Sequence, residues 1–274
     1  MALQKQVRRL IFGVDSPETA EILQKAAFAH GLIAEVRMEV DTGAGRTGVP
    51  REQAVELAKI IESMPNLKLT GIYTFKSLIY QNAPTTDIDL AALEEGELMA
   101  WVAKKLEAAG IIFMDISAGS TPTGAAVAKT GKVTEIRPGT YIFNDYMLTK
   151  EGHCKESDIA VRFYATIVST PRPGYAVLDG GTKTFPTDIL LDAPPYYYPG
   201  YAIVEGNPDL ELRRMNEEHG VLVSRSGGTG LTVGDIVCLL LVHVCTAINL
   251  QNHVYLLEDG KLKKVPVEAR GTLL

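Results

Sequence analysis

The chain has few cysteines, no excess of basic residues and no apolar run of membrane length, and each shortage removes a class of function. Three cysteines among 274 residues, Cys154, Cys238 and Cys245, are too scattered and too odd in number for a disulfide framework. A reducing compartment follows, with the cytoplasm as the expected location. The net charge is -6 at pH 7, and the only dense basic cluster is the short stretch Lys261 to Lys264. Nucleic acids and anionic membrane surfaces require a more extended positive patch, so the expected partners are small molecules. The longest apolar run, around Ile236 to Ile248, contains His243 and falls short of the roughly 20 residues that a bilayer span needs. The basic start, Met1 to Arg9, leads into an apolar stretch broken at Asp15, too short for the core of a signal peptide. Internal repeats and low-complexity segments are also missing, apart from Tyr196-Tyr197-Tyr198.

What remains is an ordinary globular composition, 46% hydrophobic and 22% charged, in a chain long enough for one large domain or two smaller ones. Strand-like and helix-like stretches alternate from the start: Leu10 to Val14, Pro17 to His30, Ile33 to Val40, Arg51 to Met64, Leu67 to Phe75, Leu90 to Ala109 and Ile111 to Ile116. Repeated βα units of this length predict a parallel sheet, doubly wound or closed as a barrel. Asp15-Ser16-Pro17-Glu18 supplies a helix cap, a first-turn proline and an early acid. After about residue 155 the texture changes to strands without a convincing helix: 159 to 170, 175 to 179, 201 to 204, 221 to 224, 236 to 247 and 253 to 257. Asp259-Gly260 suits the turn of a last hairpin. The division expected is an α/β domain over 1–155 and a mainly antiparallel β domain over 156–274.

Three motifs carry chemistry. In His243-Val244-Cys245 an imidazole and a thiol stand two positions apart in an apolar strand, and so on one face, where both could grip one transition-metal ion. The plainer reading is a hydrogen-bonded core histidine and a small buried cysteine. Gly43-Ala44-Gly45-Arg46-Thr47-Gly48 matches a dinucleotide-binding G-x-G-x-x-G, yet the next strand ends in Lys76 with no acid to hold a ribose, and Asp41 would sit poorly beside a pyrophosphate. The alternative is a tight loop that aims Arg46 into the mouth of a barrel. Ser117-Ala118-Gly119-Ser120-Thr121-Pro122-Thr123 suits a phosphate as well as it suits an ordinary capped loop. Taken together, the two loops favour a phosphorylated cofactor.

These motifs, in this order and together with Glu135-Ile136-Arg137-Pro138-Gly139-Thr140-Tyr141 and Glu217-Glu218-His219-Gly220, resemble the metal-activated D-threonine aldolase and D-serine dehydratase family over nearly the whole chain. The resemblance implies a partial TIM-type (β/α) barrel of the alanine racemase N-terminal type, holding pyridoxal 5'-phosphate, followed by the β domain. It implies that Arg46 faces the cofactor, that Gly119, Ser120 and Thr121 hold its phosphate, and that Tyr141 lines the pocket. His243 and Cys245 become ligands of a divalent metal, zinc in preference to manganese, which a thiolate and imidazole pair favours over harder ions on chemical grounds too. Glu218 and His219 become proton-handling catalytic groups or supports for the ligands. The implied activity is a lyase acting on a D-β-hydroxy amino acid, by dehydration or retro-aldol cleavage, in a homodimer.

The chain departs from the family at one point. Family members open with a Pro-His-x-Lys-type segment whose lysine forms the Schiff base with the cofactor, and no lysine here, Lys5, Lys25 and Lys76 included, stands in such a context. The expectation is a truncated, inactive lyase unless another chain supplies the segment; the alternative is a non-catalytic remnant or binding module. A barrel short of strands is also expected to have an exposed sheet edge and apolar interior residues without partners.

Overall fold

The computed structural model describes residues 1–271, and the chain divides into two compact units, Met1–Gly139 and Thr140 onward. In the first unit the elements run β1 (Ile11–Val14), α1 (Pro17–Ala29), β2 (Ala34–Asp41), β3 (Val49–Pro50), α2 (Ala54–Glu62), β4 (Leu67–Tyr73), the small β5 (Ile79–Tyr80) and β6 (Ala83–Pro84) hairpin, α3 (Ile88–Ala108), β7 (Asp115–Ser117) and α4 (Gly124–Lys129). The sheet order is β1-β2-β4-β7, all parallel, with β3 alongside β2 and one further parallel bridge from Ser117 to Glu135. This is the expected parallel sheet, open rather than closed. Local chemistry sets the helix starts: Ser16 Oγ accepts from Thr19 N at 3.2 Å, Thr19 Oγ1 accepts from Ser16 N at 3.2 Å, and Pro17 occupies the first turn.

Strand β2 alternates strictly. Ala34, Val36, Met38 and Val40 are buried in one core with Leu57 and Ile61 of α2 and Met99 and Leu106 of α3. The opposite face corrects the expectation of unpartnered apolar residues, because it is polar and paired with itself. Arg37 donates to both Glu135 oxygens at 2.6 and 3.0 Å and to Asp115 at 2.8 Å, while Glu39 accepts from Tyr73 Oη at 3.1 Å and Thr47 Oγ1 at 2.8 Å. The Arg37 side chain reaches over Gly71 of β4 to Asp115 of β7 and to Glu135, so opposite charges satisfy a face that the helices do not cover. The expected edge is present: β1 pairs only with β2.

In the second unit α5 (Tyr146–Lys150) precedes β8 (Phe163–Arg172), β9 (Tyr175–Leu178), β10 (Ala202–Val204), β11 (Asn207–Met215), β12 (Gly220–Ser224), β13 (Ile236–Leu241), α6 (Val244–Leu250), β14 (His253–Glu258) and β15 (Lys261–Pro266). Six antiparallel strands close a barrel in the order β10-β11-β12-β9-β8-β13 around Ile167, Leu178, Leu212, Leu222 and Leu239. Closure leaves those strands no free edge. β14 and β15 form a separate hairpin, and Asp259 and Gly260 both take positive φ (49° and 73°), the two-residue turn expected there.

The unit boundary falls before Thr140, so residues 140–155 belong with the β barrel rather than with the α/β unit. The bonds Met147 N to Val242 O (3.0 Å) and Val244 N to Asp145 Oδ2 (3.1 Å) tie them there. Among the described residues no helix is long and apolar enough to cross a membrane.

Candidate functional site

Because β2, β4 and β7 are parallel, the loops that follow them open at the same edge of the sheet. In the glycine loop Asp41 Oδ1 accepts from Gly43 N at 2.8 Å and Gly45 N at 3.2 Å. Asp41 thus shapes the loop itself. Arg46 is exposed, its guanidinium 4.5 Å above the centre of the Phe75 ring.

The serine loop is held from beneath. Glu95 of α3, with no exposed surface, accepts from Gly119 N at 3.0 Å and Thr123 Oγ1 at 3.2 Å. Thr123 Oγ1 in turn receives Ser120 N at 3.1 Å, lies 3.1 Å from Ser120 Oγ, and Ser120 Oγ lies 3.4 Å from Ser77 Oγ. Thr121 Oγ1 accepts from Gly139 N at 3.2 Å. Gly119 has φ +88°, and a Cβ there would lie 2.9 Å from Gly124 Cα, so only glycine fits. The Gly119 amide is therefore committed to Glu95, while the hydroxyls of Ser120 and Thr121 remain the loop's polar groups. Burial pushes the Glu95 carboxyl upward, against its hydrogen bonds from Gly119 and Thr123.

Two cations complete this end of the sheet. Lys76, which follows β4, is buried and ion-paired with Glu94 of α3. Arg137 donates to Ser117 Oγ and to Thr74 O. Sequence reasoning gave none of Lys76, Glu94, Glu95 and Arg137 a role in the site. One signal was available, since Glu95 interrupts the apolar stripe Ala91, Ala92, Met99, Val102, Leu106, and an acid on a core stripe needs a buried partner.

In the second unit His243 and Cys245 are not two residues of one strand. β13 stops at Leu241, His243 is the extended residue before α6, and Cys245 lies in the first turn of that helix. The strand argument is corrected, although the two side chains do meet. The hydrogen bond to Cys245 raises the His243 imidazole to about 9, with Asp188 acting in the same direction and burial against it, and the bond from His243 lowers the Cys245 thiol. His243 Nδ1 lies 2.8 Å from Asp188 Oδ2, and Thr246 Oγ1 donates to Asp188 Oδ1 at 3.3 Å. Cys245 Sγ lies 3.2 Å from Thr140 Oγ1. Asp145, buried, accepts from Leu148 N at 3.0 Å and Val244 N at 3.1 Å, which pins the residue between the pair.

Asp188 occupies one ring nitrogen of His243 and leaves the other for an ion or for Cys245. Among the described residues no group of three or more His, Cys, Asp and Glu forms a metal cluster, so the unit offers two soft donors and leaves further positions open. Glu218 and His219 lie in the exposed turn between β11 and β12. Glu218 accepts from Lys183 Nζ at 2.5 Å, and His219 O accepts from Asn216 N at 2.9 Å; these contacts do not involve His243, Cys245 or Asp188. Tyr141, in the turn Thr140–Ile142, is exposed and belongs to this second unit.

Residues 2–147, more than half of the chain, match the family model of the alanine racemase N-terminal domain, and residues 160–257 match a putative serine dehydratase domain. The chain belongs to the alanine racemase N-terminal domain family, in the group that contains D-threonine aldolase and D-serine dehydratase. Among the relatives of this family member, D-threo-3-hydroxyaspartate dehydratase from Delftia sp. is 29% identical over 91% of this chain and 70% of its own length. The structure of that dehydratase superposes with a TM-score of 0.85 at 26% identity, over 97% of this chain and 74% of the other. D-threonine aldolase from Arthrobacter sp. is 25% identical over 97% of this chain and 69% of its own. A cysteine-to-alanine variant of D-threo-3-hydroxyaspartate dehydratase in the metal-free form shares the fold, with a TM-score of 0.84 at 24% identity over 97% and 74% of the two chains.

Proposed function

We propose that the chain carries the cofactor and metal sites of a pyridoxal phosphate and divalent-metal dependent lyase for D-β-hydroxy amino acids. The observation that carries this reading is the His243–Cys245 pair with Asp188 behind the imidazole, a donor set suited to a borderline-soft ion such as zinc. The serine loop fits a phosphate ester, with the hydroxyls of Ser120 and Thr121 on it and Lys76 and Arg137 as the nearby cations. Bound there, pyridoxal phosphate would supply an electron sink for charge developing at a substrate's α-carbon, and the metal a Lewis acid for its β-oxygen. Within the chain, Asp41 and Glu95 fix the two loops, Ser120 and Thr121 orient the phosphate, and His243 and Cys245 hold the ion with one imidazole nitrogen set by Asp188.

A second reading, a binding module without turnover, is favoured by Lys76. It stands beside the proposed phosphate loop, yet its ammonium is buried against Glu94 rather than offered to a ligand. The two readings separate when the full chain is incubated with pyridoxal phosphate and zinc, dialysed, and supplied with D-threonine, D-serine or D-threo-3-hydroxyaspartate. Retained cofactor with release of ammonia or of an aldehyde supports the lyase. Retained cofactor without product supports the module, and loss of all cofactor on dialysis removes both.

Asp188 offers a finer check of the metal site. Asp188→Ala leaves both proposed ligands in place and is expected to weaken zinc binding about 10- to 100-fold, the usual effect of losing the carboxylate behind a ligating histidine. Competition titration against a chromogenic chelator measures this, and an unchanged affinity would show that Asp188 has no part in holding the ring.

A further inference from the structure

We propose that Glu95 is a positioning residue that sets the direction of a hydroxyl relay, so that Ser120 offers its proton to an oxyanion when Glu95 takes up a proton. The inference rests on the reading that the Ser117 to Thr123 loop receives a phosphate group. Its basis is the chain of contacts from Glu95 Oε2 to Thr123 Oγ1 (3.2 Å) and from there to Ser120 Oγ (3.1 Å).

With Glu95 ionised, Thr123 must donate its one hydroxyl proton to the carboxylate. Its oxygen then accepts from Ser120 N and from Ser120 Oγ, and the Ser120 proton points inward. With Glu95 protonated, the carboxyl donates to Thr123 Oγ1, Thr123 donates to Ser120 Oγ, and the Ser120 proton leaves Thr123 and turns outward, where an anion competes for it with Ser77 Oγ at 3.4 Å. Gly119 N donates to Glu95 Oε1 in both states, so the loop keeps its shape and only the hydroxyls turn.

The surroundings balance the two states. Burial favours the neutral carboxyl, whereas the Gly119 and Thr123 hydrogen bonds favour the anion, as do the charges of Lys76, from the segment after β4, and Arg137, from the segment after α4. Glu94, on α3 itself, is engaged with Lys76. An oxyanion that accepts the Ser120 proton holds the hydroxyls in the outward direction, and that direction requires a proton on Glu95.

The test is calorimetric titration of the full chain with inorganic sulfate, a tetrahedral oxyanion whose charge is constant across the neutral range, in buffers of different ionisation enthalpy. Wild type is expected to take up protons on binding, and Ser120→Ala to bind more weakly. Glu95→Gln can accept from Gly119 N and donate to Thr123 Oγ1, which holds the relay permanently in its outward direction. This variant is expected to bind sulfate about tenfold more tightly, with no proton uptake. Thr123→Val, which interrupts the relay while keeping the side-chain shape and Glu95, is expected to bind without proton uptake; it serves as the second variant should Glu95→Gln fold poorly. Sulfate binding that depends on Ser120 but carries no proton uptake in wild type overturns the relay and leaves the anion site standing. Sulfate binding absent from wild type, or indifferent to Ser120→Ala, overturns both.

Discussion

Replacing either His243 or Cys245 by alanine is expected to abolish the zinc binding proposed for the second unit while leaving its fold intact. Structural zinc sites gain roughly 10–16 kcal/mol from about four ligands, so one ligand is worth about 3 kcal/mol, a loss of affinity of about a hundredfold or more. With only two protein donors in the proposed site, one survivor cannot retain the ion through dialysis. Elemental analysis of wild type and both variants after loading with zinc reads this directly, and circular dichroism shows whether the barrel survives. Equal zinc in all three proteins would mean that the pair is only a hydrogen-bonded contact, the plainer alternative weighed from the sequence. Neither side chain belongs to the barrel core: His243 follows the last residue of β13 and Cys245 is exposed in the first turn of α6, so the fold has no need of them.

Asp145→Ala is expected to produce the largest loss of stability in the second unit. Its buried carboxylate accepts from Leu148 N at the start of α5 and from Val244 N at the start of α6. Truncation leaves two buried N–H groups without acceptors, and hydrogen bonds to a charged group are worth about 1.5–3 kcal/mol each, so the expected cost is about 3–6 kcal/mol. Asp145→Asn keeps one acceptor and turns an amide donor toward the other N–H, and it should fall between wild type and alanine. Denaturant unfolding followed by far-ultraviolet circular dichroism measures the order. Zinc retention should fall with it, because Val244 lies between the two proposed ligands. An alanine variant within about 1 kcal/mol of wild type would show that α5 and α6 hold their places without this residue.

The parts of the fold legible in the sequence are those where apolar spacing has one period. β2 shows its buried set at every second residue and α2 at helical spacing, so the parallel unit is legible in the sequence. The second unit was harder for two reasons. The run from Ile236 to Ile248 is apolar almost throughout, and such a run does not distinguish a strand from a buried helix; the chain uses it for β13 and then for α6, where a strand to residue 247 was expected. β11 was not foreseen, because Asn207, Pro208, Asp209, Arg213 and Arg214 hide the inward pair Leu210 and Leu212. In each unit's candidate site the supporting acid, Glu95 in the first and Asp188 in the second, shares no motif with the groups it supports and lies far from them in sequence.

By itself the sequence determined the order of the elements, the parallel character of the first unit and the identity of the loops and side chains with chemistry to offer, since periodicity and residue type are local properties. The tertiary structure alone decided what each of those groups faces. Hydrogen-bond partners are brought together by sheet register and helix packing across long stretches of chain. That is why the acid behind His243, the acid beneath Gly119 and the polar pairing of the uncovered sheet face became visible only once the strands were laid side by side.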